Sequence, residues 1–319
     1  MPADSPANPP IALCLGVFDG VHRGHEAIIG AARRFISGTT GGRVLALTFD
    51  PHPTQIVRPT SPQPLLQSLD ARISLLRKAG CDGVIVLPFS EDLARHSASA
   101  FWSLLKRSIP GKLLGIFAGQ NWRFGVGRSG DLVQLASLSA ADGCVVVGVP
   151  PVMHLGRVIS SSWIRDLVRE AAFGTIPTLL GRAFEISGTV IAGKQLARQW
   201  GFPTANLYPD QECLPPNGVY VGWAQWDGGQ AVWSLCNLGT RPSLGTEENR
   251  VLLEAHLIGR NQDLYGCTLR FVPVHKIRDE QRFTSLEALR RQISLDATEA
   301  RKFQAQFDTS MGFDGSTTP

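Results

Sequence analysis

Along the first half of the chain, short unbroken apolar runs alternate with stretches in which apolar residues recur every three to four positions. The runs Ile11–Leu15, Val44–Phe49, Gly83–Leu87, Leu113–Ala118 and Cys144–Val149 have the continuous hydrophobicity of strands buried on both faces. Helical spacing fills His25–Ile36, Ser68–Ala79, Ala98–Ser108 and Asp131–Ala140 between them. Together they predict an α/β unit, a parallel sheet with helices on both faces. Ligands of such sheets bind beyond the carboxyl ends of the strands. Those ends carry Gly16–His25, Asp50–Pro53 and Gly119–Gly130, so three polar loops are expected to converge on one crevice.

From about Phe184 the pattern changes. FEISGTVIAG, GVYVGWAQW, AVWSLCNLG, VLLEAHLI and TLRFVPVH are rich in β-branched and aromatic residues, with no helical pattern between them. Asp227-Gly228-Gly229 is a hairpin signal between the second and third. Such a run of strands predicts a small closed or nearly closed antiparallel barrel. A C-terminal helix is expected next, with Thr284 and Glu287 as a capping box and Leu286, Leu289 and Ile293 at helical spacing. The boundary falls near Leu180–Arg182, giving domains at 11–180 and 183–308. The lead-in 1–10 and the tail 309–319 read as disordered.

Composition narrows the classes. A chain of 319 residues is long for one core, and 43% hydrophobic with 18% charged residues fits a globular protein. The net charge of +4, without a run of five like charges, argues against a nucleic-acid surface but leaves room for local phosphate sites. No apolar stretch approaches membrane-spanning length, and MPADSPANPP has neither the basic nor the apolar region of a secretory signal. The six cysteines are scattered without a C-x-x-C pair, which predicts free thiols in a reducing cytoplasm and no structural zinc site. Cys14, Cys144 and Cys236 lie in apolar runs, where a thiol acts as a small hydrophobe.

Candidate chemistry concentrates in GVFDGVHRGH, Gly16 to His25, between a strand and a helix. Free N–H groups and the positive dipole at a helix start suit an anion. Gly16, Gly20 and Gly24 permit close approach to the backbone. His22 and His25 could hold nucleotide phosphates and stabilise charge during phosphoryl chemistry. In TFDPHP two prolines set the turn around His52, which either presents its imidazole at the ligand edge or simply ends the strand. GQNWRFGVGRSGD combines four glycines with Trp122, Phe124, Arg123 and Arg128, and can offer a flat ring beside guanidinium groups. ISSSWIR starts a helix with Ser160, Ser161 and Ser162 and places Arg165 one turn in; at least one serine is a cap.

The H-x-G-H element is neither a Walker loop nor a dinucleotide fingerprint. It resembles the signature of the nucleotidyltransferase superfamily. GVFDGVHRGH, TFDPHP, GQNWRFG…RSGD and ISSSWIR occur in the order of the bacterial FAD synthetases, although Val17, Trp122 and Ser162 replace commoner residues. The resemblance implies a Rossmann-like nucleotidyltransferase domain in which His22, His25 and Arg165 serve adenylyl transfer. It implies nucleotide and phosphate contacts at Gly16, Phe18, Asp19, Gly24, Arg128, Ser160, Ser161 and Ser162. Flavin contacts are implied at His52, Asn121, Trp122 and Phe124.

GTVIAGKQLARQWGFPTANL, Gly188 to Leu207, resembles the riboflavin kinase signature. That implies phosphate contacts at Gly193, Lys194 and Arg198. Thr204 and Asn206 are hard oxygen donors two residues apart, suited to Mg²⁺ with ATP, although PTAN alone also fits an ordinary turn. Glu254 shares a strand face with Leu252 and His256. Among apolar neighbours its carboxylate must be paired, for instance to Arg241 or Arg250, or functional. The resemblance implies a general base for the terminal ribityl hydroxyl of riboflavin. CNLGTRPSLG, DLYG and KIRDEQRFTSLEAL complete the likeness, the last implying flavin contacts at Arg278 and Phe283. Ala197 replaces a usual glycine, at a strain on the order of 1 kcal/mol if the position needs positive φ, and Ser243 a usual threonine.

The chain is thus similar to the bifunctional riboflavin kinase/FMN adenylyltransferase family. The resemblance implies a cytoplasmic enzyme that uses ATP to turn riboflavin into FMN and FMN into FAD. Its partners would be ATP, riboflavin and FMN, with no nucleic acid or membrane, and oligomerisation is left open. Two alternatives stand beside it: an FMN adenylyltransferase with an impaired kinase domain, and a flavin-binding regulator without turnover.

Overall fold

The computed structural model describes residues 8–192, 204–242, 249–260 and 262–311. Contacts group the chain into two compact units, Met1–Ile164 and Arg165–Pro319. The expected lead-in and tail lie partly outside the described residues; Pro10 already pairs with Lys112, and the last helix runs to Met311.

The first unit runs β1 (Pro10–Leu15), α1 (Arg23–Ile36), β2 (Arg43–Asp50), α2 (Pro53–Val57), α3 (Leu69–Lys78), β3 (Gly83–Pro88), α4 (Glu91–Ala94), α5 (Ala98–Ser108), β4 (Lys112–Gly119), α6 (Leu132–Ser139), β5 (Val145–Val149) and a hairpin of β6 (Met153–His154) with β7 (Arg157–Val158). The five-stranded sheet is parallel throughout, in the order β3-β2-β1-β4-β5. Strand β1 shows why its run is apolar without interruption. Ile11, Leu13 and Leu15 face Phe101, Trp102 and Leu105, while Ala12 and Cys14 face Ile29, Ala32 and Leu76. Small residues on that second face let α1 close on the sheet. Strand order reverses between β1 and β4, so the loops after these strands flank the switch point where such sheets hold ligands.

The expected strands and main helices are present, and local chemistry sets their ends. Helix α1 begins at Arg23, so His22 becomes its N-cap. Ser68 and Asp131 cap α3 and α6 by accepting the Ala71 and Gln134 N–H groups at 3.3 and 2.9 Å. The short α2, α4 and the β6–β7 hairpin were not anticipated.

Helix α7 (Ser161–Arg169) crosses the division, and α8 (Ile176–Leu180) ends at Gly181 with φ 76°. The second unit continues with β8 (Ile186–Ile191), β9 (Thr204–Leu207), β10 (Gly218–Trp226), β11 (Val232–Pro242), β12 (Asn249–Leu257), β13 (Thr268–Asp279) and α9 (Leu286–Met311). The strands form a closed antiparallel barrel in the order β10-β11-β12-β9-β8-β13. Asp227 (φ 46°) and Gly228 (φ 73°) form the turn between β10 and β11, closed by Gly229 N–H donating to the Trp226 carbonyl at 2.9 Å. Thr204, Ala205 and Asn206 of PTAN lie in strand β9, paired on both edges, while Pro203 lies outside the described residues. The expected Thr284 cap is corrected: α9 starts at Leu286, and Ser285 Oγ accepts the Ala288 N–H at 3.1 Å.

Helix α9 packs on the barrel through Ala300 and Phe303, against Val219, Val221, Trp233 and Leu235. The Trp233 indole N–H donates to the Ala300 carbonyl at 2.8 Å, a contact that fixes the helix along its axis. Trp233→Phe is expected to remove this second bond to a carbonyl that keeps its place in the α9 ladder, and to destabilise the unit by about 1 kcal/mol. Urea unfolding should show a lower midpoint at unchanged slope; an unmoved midpoint would contradict the assignment.

Candidate functional site

After β1 the backbone makes a turn that side chains oppose. Phe18, Gly20 and Val21 have φ of 57°, 88° and 38°, a region that β-branched valine rarely enters. At two glycines here close approach leaves little room for a side chain. A Cβ on Gly16 would lie 3.0 Å from the Phe18 ring, and one on Gly24 would lie 3.0 Å from the His22 imidazole. His22 caps α1 and His25 is its third residue, so both imidazoles stand in the first turn. Their rings stack with centroids 3.7 Å apart and planes 17° off parallel, and Phe18 meets His25 edge-on at 5.1 Å. His25 Nδ1 faces the His22 N–H at 3.4 Å, an arrangement that puts the His25 proton on Nε2. Helix start, dipole and paired imidazoles are together chemically suited to a polyanion.

The loop is held from several sides. Thr48 Oγ1 donates to the Val17 carbonyl at 2.7 Å, and the Gln67 amide to the Phe18 carbonyl at 3.3 Å. The Leu66 N–H reaches the Asp19 carboxylate at 3.1 Å, and Ser161 Oγ the Asp19 carbonyl at 2.8 Å. Phe18 and Asp19 are therefore inward-facing, at 0% and 2% exposure. They shape the loop, and their side chains do not line an open surface. Sequence reasoning missed Thr48, Gln67 and the buried Arg72. An arginine on the apolar face of α3, four residues before Leu76, was the available signal.

The other expected residues differ in placement. Ser160 Oγ accepts the Trp163 N–H at 3.3 Å and caps α7, while Ser162 is exposed. Arg165 is buried one turn along that helix. His52 caps α2, with Nδ1 accepting the Thr54 N–H at 3.1 Å. The loop after β4 closes on itself through paired hydrogen bonds between Phe124 and Gly130. Trp122 and Phe124 stack at 4.8 Å; Phe124 belongs to the core and Trp122 packs against it. Asn121, Arg123 and Arg128 are exposed. The Gln134 N–H and then Arg123, 2.8 Å away, hold the Asp131 carboxyl below the usual range.

In the second unit Asn206 lies directly opposite Glu254, and Thr204 opposite His256, across the β9–β12 pair. Glu254 also faces Asn237 on β11. Opposed residues of an antiparallel pair share a face, with Cβ atoms roughly 4.5–5.5 Å apart. Thr204, Asn206, Glu254 and His256 thus form one polar patch, while Leu253, Ala255 and Leu257 are buried on the other face. Asn206 is buried and Glu254 half-buried. Arg250 lies over the Tyr208 ring at 4.2 Å. Arg278 Nε and Nη2 grip the buried Asp296 at 3.0 and 2.7 Å, with Phe283 5.9 Å from the guanidinium. Gly193, Lys194, Ala197, Arg198, Ser243 and the Arg241 side chain lie outside the described residues.

Family models for FAD synthetase and riboflavin kinase match residues 4–163 and 180–304. The bifunctional riboflavin kinase/FMN adenylyltransferase of Escherichia coli K12 is 33% identical over 297 residues, covering 91% of this chain and 92% of that protein. Its namesake from Pseudomonas fluorescens is 35% identical over the same shares. A solved structure named a macrolide-efflux protein, from Streptococcus pneumoniae, superposes with a TM-score of 0.78 at 26% identity, covering 93% of this chain and 94% of that one. Among the described residues no helix is long and apolar enough to cross a membrane.

The contact between Gly24 and the His22 ring yields a direct test. Gly24→Ala should displace the imidazole and break the stack, shifting the ring-proton NMR signals of both His22 and His25. Unchanged signals would contradict the packing described.

Proposed function

The chain belongs to the bifunctional riboflavin kinase/FMN adenylyltransferase family, and from that premise we propose how its own residues serve the two reactions. With ATP it phosphorylates riboflavin to FMN, then adenylylates FMN to FAD with release of pyrophosphate. We assign the second step to the first unit and the first step to the barrel. The stacked His22–His25 pair in the first turn of α1 is the observation that carries the first assignment.

In adenylyl transfer a phosphate oxygen of FMN attacks the α-phosphorus of ATP, and the bond to pyrophosphate breaks. No protein nucleophile is needed, so the residues act by positioning and by charge stabilisation. Donor N–H groups of His22 and His25 receive the charge that builds on the leaving pyrophosphate. The exposed Ser162 hydroxyl and Arg128 extend the phosphate contacts. Ser160 and Ser161 hold α7 and the histidine loop in place. The Trp122–Phe124 stack gives the flavin its wall, with Trp122 as the accessible ring and Asn121 and His52 at the edge.

In phosphorylation the terminal ribityl hydroxyl attacks the γ-phosphorus, its proton passes to Glu254, and ADP leaves. A half-buried carboxylate beside the Asn206 amide suits that transfer. Thr204 and Asn206 put hydroxyl and amide oxygens on one face, a hard donor set that fits Mg²⁺. When bound there, the cation neutralises charge on the ATP phosphates. Arg278, braced by Asp296, and Phe283 form the flavin-facing end of the segment before α9. Six free cysteines accord with a reducing compartment, and we place the protein in the cytoplasm.

Product chromatography after mixing the protein with riboflavin and Mg-ATP separates this reading from its rivals. His22→Ala should cut FMN adenylylation at least about a hundredfold and stop the sequence at FMN. Glu254→Gln should slow riboflavin phosphorylation about 10²–10⁴-fold while sparing added FMN. Conversion of FMN but not riboflavin by the unaltered protein would mean an impaired kinase. Flavin binding with no pyrophosphate release would mean a regulator.

A further inference from the structure

Arg72 is the largest wholly buried side chain among the described residues, an unusual place for arginine. It projects from α3 on the same side as the equally buried Leu76. Its Nη1 donates to Thr48 Oγ1 at 3.3 Å and to the Phe49 carbonyl at 3.0 Å. Nε and Nη2 meet no acceptor among the described residues. Burial pulls its pKa down, against the opposing pull of Asp19 and Asp50, yet a guanidinium stays charged. Stability alone does not account for such a group, since an apolar side chain of similar volume is often no worse in a core.

What Arg72 holds points to a role in the site. Thr48 Oγ1, which accepts from Arg72, donates in turn to the Val17 carbonyl. Gln67 holds the Phe18 carbonyl, and the Leu66 N–H holds the Asp19 carboxylate. Residues 66–72 therefore grip three successive residues of the histidine loop, the first through Thr48. The Phe49 bond ties the same guanidinium to the strand end leading to Asp50 and His52.

We infer that Arg72 is a positioning residue for FMN adenylylation, setting the His22–His25 turn against the end of β2 through the Thr48–Val17 relay. Its effect passes through backbone carbonyls and touches no substrate. The inference rests on the assignment of His22 and His25 to this reaction, so His22→Ala is measured alongside.

The test is steady-state FMN adenylylation by the full chain carrying Arg72→Met, Arg72→Lys, Thr48→Val, or Thr48→Val with Arg72→Met. Arg72→Met should lower kcat about thirtyfold, with KM for ATP and FMN within about threefold, because misplaced groups cost turnover more than binding. Lysine, which keeps the charge and one donor, should recover most of that loss. Thr48→Val should lower kcat about tenfold, and the double variant should be no slower than Arg72→Met alone, as for one shared relay. If Arg72→Met fails to fold, Thr48→Val and Arg72→Lys carry the test. Additive losses, or a raised KM at intact kcat, would overturn the inference. So would a full kcat in Thr48→Val while His22→Ala is inactive, and that result would leave the site assignment standing. Adenylylation that survives His22→Ala would overturn both.

Discussion

Phe18 and Val21 both hold positive φ in the turn between β1 and α1, and each such residue costs about 1–3 kcal/mol. The first unit is arranged to sustain that cost. Strand β1, buried between two layers from Ile11 to Leu15, delivers Gly16 to a fixed point. The Phe18 ring then fills the space over Gly16, and Thr48, Gln67, Leu66 and Ser161 take up the polar groups that follow. The result is a rigid turn that ends in two stacked imidazoles. A relaxed turn would leave the same residues without a common direction, and phosphoryl transfer depends on direction more than on any single contact.

The barrel reaches a comparable end by different means. Its polar patch comes from register: the short strand β9, paired on both edges, sets Thr204 against His256 and Asn206 against Glu254. A slip of β9 by one residue would turn Thr204 and Asn206 to the opposite face, away from Glu254 and His256. Register there is secured by the opposed apolar pairs Leu207–Leu253 and Ala205–Ala255 on the other face. Both units therefore put core packing behind the side chains that we propose meet substrate.

The fold was legible wherever periodicity was long. The apolar runs became the sheet because both faces of each central strand are covered, and Asp227-Gly228 marked its hairpin because both positions need positive φ. Short elements escaped. The strand Thr204–Leu207 has too few residues to show alternation, and its pairing is decided by distant strands. Ser285 displaced Thr284 as the cap because two neighbouring hydroxyl residues compete and packing of α9 chooses between them. In the histidine loop the pattern of residues was readable but not the direction of each side chain. The side chains of Phe18 and Asp19 turn inward, a direction that the motif does not carry. Arg72 lay within an otherwise ordinary amphipathic helix, and only the fold brings it beneath a loop some fifty positions earlier.

The most direct test is a crystal structure of the protein with FMN and an ATP analogue that cannot be cleaved between the α- and β-phosphates. The account requires the triphosphate to lie against the first turn of α1, within hydrogen-bond distance of both His22 and His25, with the isoalloxazine beside Trp122. An ordered analogue held elsewhere in the first unit, with the two imidazoles still stacked and untouched, would contradict it.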